Sequence, residues 1–207
     1  NGKPLLGYVL DNINFIKPED TVVVIGYMGE KVAEMLGDKY VTAVQSEQKG
    51  TGHAVMSAAD ALKDYDGDVL ILCGDMPLVR QESYKAAVEY HEKLGADMTL
   101  LTCEVDKPLP YGRIIRDENG SVIRIVEEKD ATEEEKKIRE LNPRIYVVKS
   151  KILFEALKKL NSNNAQGEYY LTDVPGILIA EGKKVEACKV YSDYEMVGVN
   201  TPEDLAF

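Results

Sequence analysis

Three cysteines are all that this 207-residue sequence contains, and Cys73, Cys103 and Cys188 each lie in or beside an apolar, strand-like run. An odd number so placed excludes a fully paired disulfide framework and favours reduced, packed thiols in a cytoplasmic protein. Long apolar runs are also missing: none approaches the roughly 18 residues of a membrane span, and Asn1-Gly2-Lys3-Pro4 does not open like a signal peptide. Basic residues are outnumbered, 25 Lys and Arg against 36 Asp and Glu, for a net charge of -11. Such an average field repels nucleic acid and anionic membranes, although local donors and a bound cation can still hold a small phosphorylated ligand in a cleft. There is no Walker loop, and Gly26-Tyr27-Met28-Gly29 lacks the GxGxxG spacing of a dinucleotide fingerprint. No internal repeat or low-complexity segment is found.

What is present is 44% apolar residues in a regular order, enough for one substantial core. Lys3 to Ile13 has helical apolar spacing, with Pro4 tolerated in the first turn. The pattern then predicts strands at 21–25, 40–44 and 68–73 and helices at 29–36, 51–62 and 81–94. This alternation is the mark of a parallel sheet covered by helices. After Met98 the pattern changes. Strands are expected at 98–105, 113–116 and 121–126, the last two joined by the hairpin turn Asp117-Glu118-Asn119-Gly120. The charge-dense 130–140 segment reads as a solvated helix, followed by a strand at 144–149, helices at 150–160 and 171–181 and a strand at 184–190. The second half thus reads as a lobe folded over one edge of the sheet.

Several polar residues fall where open α/β sheets bind ligands, at the carboxyl ends of strands. Asp75 follows the apolar strand ending at Cys73, and Asn200 follows Met196-Val197-Gly198-Val199. One Asp and one Asn oxygen suit Mg²⁺, which takes few protein ligands beside waters and phosphates. They equally suit an Asx turn before Pro77 and a helix cap with Glu203 three positions on. Gly50 and Thr51 precede a helix whose first-turn amides are free donors, and a Gly there lets a flat ring approach the backbone; a simple capped turn is the alternative. Tyr111-Gly112-Arg113 offers an unobstructed backbone N-H, and Val126-Glu127 places a carboxylate at a strand end. A sugar needs such mixed donors and acceptors, with an aromatic face beside them. His53 reads as first-turn packing and His91 as solvated helix surface.

Three segments carry a more specific signal: Gln48-Lys49-Gly50-Thr51-Gly52-His53-Ala54, Cys73-Gly74-Asp75-Met76-Pro77-Leu78 and Asn164-Ala165-Gln166-Gly167-Glu168-Tyr169-Tyr170-Leu171-Thr172-Asp173. Together they resemble the sugar-nucleotide pyrophosphorylases, specifically the N-acetylglucosamine-1-phosphate uridyltransferase domain, from about residue 3 to the end. The resemblance implies a Rossmann-like α/β nucleotidyltransferase fold with a mostly parallel sheet and a small sugar-binding lobe. It implies one domain over residues 1–207, nucleotide-binding to about residue 103 and sugar-binding, with returning strands, from about 104. The implied reaction joins UTP and N-acetylglucosamine-1-phosphate into UDP-N-acetylglucosamine and pyrophosphate, with Mg²⁺ on Asp75 and Asn200. By the same resemblance Gln45, Gly50 and Thr51 recognise uracil, Gly112, Glu127, Asn142 and Tyr170 bind N-acetylglucosamine, and Thr172 lies near its phosphate.

The sequence also departs from the family. Where the family has Asn-Thr-Gly this chain has Asn142-Pro143-Arg144, so a backbone donor is lost and a long cation stands where a Gly leaves room. The family's opening strand and its Gly-rich, Arg- and Lys-bearing phosphate loop are expected ahead of Asn1. Nothing resembles the hexapeptide-repeat acetyltransferase that bifunctional members carry. Two other readings therefore stand beside uridylyl transfer: a non-catalytic nucleotide-sugar-binding protein, and a pyrophosphorylase for another sugar-1-phosphate.

Overall fold

A computed structural model describes residues 3–26, 29–106, 109–190 and Glu195. The elements, in chain order, are α1 (Leu5–Asn12), β1 (Val22–Ile25), α2 (Gly29–Leu36), β2 (Val41–Val44), α3 (Thr51–Met56), α4 (Ala59–Leu62), β3 (Asp68–Ile71), α5 (Gln81–Leu94), β4 (Met98–Glu104), β5 (Gly112–Arg116), β6 (Val122–Val126), β7 (Glu140–Asn142), β8 (Tyr146–Lys149), α6 (Ser150–Leu157), α7 (Val174–Ala180) and β9 (Val185–Val190).

β4 is the axis of the fold. Its residues are buried from Met98 to Cys103, a run that suits a strand covered on both faces. Met98 and Leu100 point into one core with Leu153 and Leu157 of α6 and Val174 and Leu178 of α7. Leu101 and Cys103 point into the other, with Ile13, Met76 and Tyr84. This is the two-residue alternation of a pleated strand. α5 answers with Tyr84, Ala87 and His91, spaced three and four apart on its buried stripe, and it ends on Gly95 in the left-handed conformation.

The α/β fold is the expected one, but the sheet is not mostly parallel: among the described strands two pairings are parallel and five antiparallel. β1 and β2 form a parallel pair and β4 pairs in parallel with β9, but β8 runs antiparallel between β3 and β4. The hairpin β5-β6 joins the sheet through β7, which also pairs with β4. The second half is therefore not a lobe over the edge of a first-half sheet: it supplies every described strand of the larger sheet but β3, while β1 and β2 form a separate two-stranded sheet. Among the described residues β1 is hydrogen-bonded only to β2, and β3 only to β8.

Two segments differ from the sequence reading. The 51–62 helix is two short helices, because Ser57 turns its hydroxyl back to the His53 carbonyl at 3.0 Å and the chain tightens there. Charged 130–140 holds only a single 3-10 turn, Glu135–Lys137. The segment lacks an apolar stripe to hold a longer helix against the core, and Glu140 is already part of β7. Among the described residues no helix is long and apolar enough to cross a membrane, and the three cysteines are free.

Candidate functional site

The loop before α3 and the loop before α7 are joined by backbone. Tyr169 N-H donates to the Lys49 carbonyl at 2.8 Å, Gly52 N-H donates to the Tyr169 carbonyl at 2.8 Å, and Leu171 N-H donates to Thr51 Oγ1 at 3.0 Å. Gly50 makes the approach possible. Its φ is +101°, and a Cβ there would meet Tyr169 O at 2.7 Å and Glu168 Cβ at 2.8 Å, so only hydrogen fits. Gln45 ties down the same turn by donating from Nε2 to the Gly50 carbonyl at 3.1 Å, and His53 Nδ1 is 3.1 Å from that amide.

Residues 164–168 form a self-closed loop. Asn164 Nδ2 donates to the Glu168 carbonyl at 2.6 Å, and its Oδ1 accepts from Gln166 N-H and Glu168 N-H, each at 3.2 Å. Asp130 anchors the loop from outside, accepting from Ala165 N-H at 2.8 Å and from the Tyr170 hydroxyl at 3.1 Å. A cleft of about 210 Å³ opens between these loops, lined by Thr51, Glu127, Arg144, Gln166, Glu168 and Tyr170.

Three of the predicted residues, Thr51, Glu127 and Tyr170, thus share one cleft, with Gln45 and Gly50 bracing its edge. Thr172 is 2% exposed and stands behind it, donating its hydroxyl to Glu127 Oε1 at 2.9 Å. Gly112 and Asn142 are paired neighbours on β5 and β7. Asn142 is wholly buried, its Nδ2 donating to the Tyr146 hydroxyl at 2.6 Å and its Oδ1 accepting from Arg144 N-H at 3.3 Å. Asp75 is half-buried in the turn after β3, and Asn200 lies outside the described residues.

Arg144 owes its position to a bulge. Leu100 pairs with Tyr146 and Cys103 with Leu141, so two residues of β4 face four on the other side, Asn142 to Ile145. Pro143 fits there because no ladder donor is required of it. Arg144 takes φ +62°, the only non-glycine with positive φ among the described residues, at a cost on the order of 1 kcal/mol or more. Burial pulls its pKa down, but Glu127, Cys73, Tyr146 and Asp75 outweigh that and hold it above the ordinary arginine value. Burial, then the Asp75 carboxylate, pushes the Cys73 thiol up to about 11, so it stays protonated at neutral pH.

The donor set suits Mg²⁺. Asp75 offers a single hard carboxylate at a strand end, with Asn200 its sequence-predicted companion. Among the described residues no group of three or more His, Cys, Asp and Glu could hold a metal, so a cation at Asp75 would draw most of its shell from water and substrate oxygens.

Sequence reasoning missed the cleft-facing part of Gln166 and Glu168, although both lie in the segment it singled out. It also placed His91 on solvated surface. His91 is 1% exposed, with Nδ1 2.9 Å from Thr99 Oγ1 and Nε2 3.3 Å from Asp68 Oδ1. The signal available was its place on the Tyr84 and Ala87 stripe.

An α/β sheet whose loops close on a polar cleft is a setting in which many α/β proteins bind small ligands. Residues 1–194 match the family described as nucleotidyl transferase, and the chain belongs to that family. It is 45% identical over 199 residues to "Bifunctional protein GlmU" of Geobacillus thermodenitrificans, covering 96% of this chain and 43% of that one. It is 46% identical over 205 residues to the protein of the same name from Streptococcus mutans, covering 99% and 45%. The chain thus spans under half the length of these relatives. In structure it is similar to 4-diphosphocytidyl-2C-methyl-D-erythritol synthase from Anaerococcus prevotii, with a TM-score of 0.67, 16% identity and coverage of 100% of this chain and 84% of that one.

Proposed function

We propose that this domain transfers a uridylyl group from UTP to N-acetylglucosamine-1-phosphate. The observation that carries the reading is the joining of the 49–52 and 169–171 loops by three hydrogen bonds around one polar cleft. On this reading a nucleotide end would lie beside a sugar end. Gln45, Gly50 and Thr51 would hold uracil. Glu127 and Tyr170 would hold the sugar, with Gly112 and Asn142 shaping the wall behind them and Thr172 fixing Glu127.

In the reaction an oxygen of the sugar phosphate forms a bond to the α-phosphorus of UTP, and the bond from that phosphorus to the bridging oxygen of pyrophosphate breaks. No electrons change hands, and catalysis consists of alignment and charge neutralisation. Asp75 and Asn200 would hold Mg²⁺, which would supply part of that neutralisation. The chain's own residues would orient the two ends.

Calorimetry with UDP-N-acetylglucosamine tests the reading. Binding should strengthen in Mg²⁺ relative to EDTA, and Asp75→Ala should abolish the increment while the fold is retained. Equal binding in both solutions would overturn the metal assignment. Failure of any uridine nucleotide to bind would overturn uridylyl transfer altogether.

A further inference from the structure

Among the described residues Arg144 is the one basic residue lining the cleft, where Glu127 and Glu168 supply the opposite charge. Its Nε is buried and has no hydrogen-bond partner. Glu127 and Asp75 act on the guanidinium through space without a hydrogen bond to it. A buried N-H left unspent on a half-buried guanidinium is unfavourable until an acceptor arrives. The backbone adds to the cost, since Arg144 stands in a left-handed bulge position where a glycine would be relaxed. A neutral sugar gives no reason for a cation held under both penalties. A phosphate does, because its oxygens match the planar fork of a guanidinium.

We propose that Arg144 is a specificity-determining residue of the acceptor pocket, its guanidinium receiving the phosphate oxygens of the sugar-1-phosphate and so selecting phosphorylated over neutral sugar. The inference rests on the uridylyl-transfer reading, in that it takes this cleft to be where the acceptor sugar phosphate lies. The ligand it requires is an anionic oxygen group, and an anionic sugar ring is the other possible source of one.

The test is calorimetric titration of the 207-residue chain and of Arg144→Gln, Arg144→Gly and Arg144→Lys with N-acetylglucosamine-1-phosphate, N-acetylglucosamine and glucuronic acid, with UTP as a control. Folding of Arg144→Gly is not at issue, because glycine relieves the left-handed backbone. The unsubstituted chain should prefer the phosphorylated to the neutral sugar by about ten-fold or more, as a charge-assisted contact requires. Gln and Gly should remove that preference with little change for the neutral sugar, and Lys should keep part of it. Equal binding of the phosphorylated sugar by Arg144→Gln, or tighter binding by Arg144→Gly, would overturn the proposal, the latter by showing the side chain to be an obstruction. Arg144-dependent binding of glucuronic acid without the same dependence for the sugar phosphate would overturn the phosphate assignment. Normal UTP binding alongside any of these failures counts against this inference alone; absent UTP binding counts against uridylyl transfer itself.

Discussion

Thr172 donates its hydroxyl to the Glu127 carboxylate over 2.9 Å, joining the entrance of α7 to the end of β6 across 45 residues of sequence. Glu127 faces the cleft and Thr172 does not, so the buried hydroxyl acts by fixing the rotamer of the half-buried acid.

Thr172→Val removes that donor at nearly constant volume. A lost hydrogen bond to a charged group costs on the order of 1–3 kcal/mol, and urea denaturation should show a loss of that order. N-acetylglucosamine-1-phosphate affinity should fall about ten-fold, the equivalent of roughly 1.4 kcal/mol, while UTP affinity holds. Thr172→Ser should retain most of both. An equal loss for UTP would mean that the substitution disturbs the fold and not the acid.

Gly50 tests the other side of the cleft. With φ at +101° and Tyr169 O at 2.7 Å from an added Cβ, Gly50→Ala must either break the bonds between the two loops or strain the backbone. Left-handed and steric costs together should lower stability by roughly 2 kcal/mol or more. Because the loops part, binding of UTP and of the sugar phosphate should both weaken. An alanine variant of ordinary stability and affinity would show that the loops are not held by this close approach.

These two positions also show what was legible in sequence. Gly50 and Thr172 lie in motifs whose family resemblance pointed to the cleft, and the strand and helix periods placed α5 and β4 within a residue of where they are. What local windows could not show were distant partners. Glu140 read as part of a charged helix, but it pairs with Glu104 across β7 and β4 while Arg116 donates to it from Nε at 2.7 Å and Nη2 at 2.6 Å. Those contacts draw Glu140 into the sheet and leave only one 3-10 turn before it. His91 was misplaced for the same reason, since Thr99 and Asp68 belong to other strands. Arg144 was recognisable as a departure; the bulge that aims it depends on the registers of β7 and β8 against β4.

The pH dependence of stability should carry a mark of Asp173. Burial, followed by the carboxylates of Asp130 and Glu127, holds its pKa above the ordinary 3.8. A carboxyl raised in the folded state is ionised there at a cost, and that cost is full above the folded pKa and absent below the unfolded one. Asp173→Asn should therefore raise the urea midpoint at pH 7, and its advantage should shrink as pH falls towards about 4. An advantage independent of pH would place its origin elsewhere, for instance in the helix entrance.

The last prediction concerns β1 and β3. Val22, Val23 and Val24 of β1 and Val69, Leu70 and Ile71 of β3 are only partly buried, and among the described residues each strand has one hydrogen-bonded neighbour. In an α/β sheet covered on both faces, central strands are paired on both sides and buried. A family-type strand and phosphate loop joined ahead of Asn1 should therefore pair with these edges, raising the thermal midpoint through added burial and ladder bonds. The loop would also bring cations to the triphosphate. Since one preorganised charge-stabilising group is worth on the order of 100-fold in rate, pyrophosphate release from UTP and N-acetylglucosamine-1-phosphate should rise by at least that factor over residues 1–207. An extended chain with no gain in stability would show that β1 and β3 do not accept a strand. One that gains stability, binds both substrates and releases no pyrophosphate would favour a nucleotide-sugar-binding protein over an enzyme.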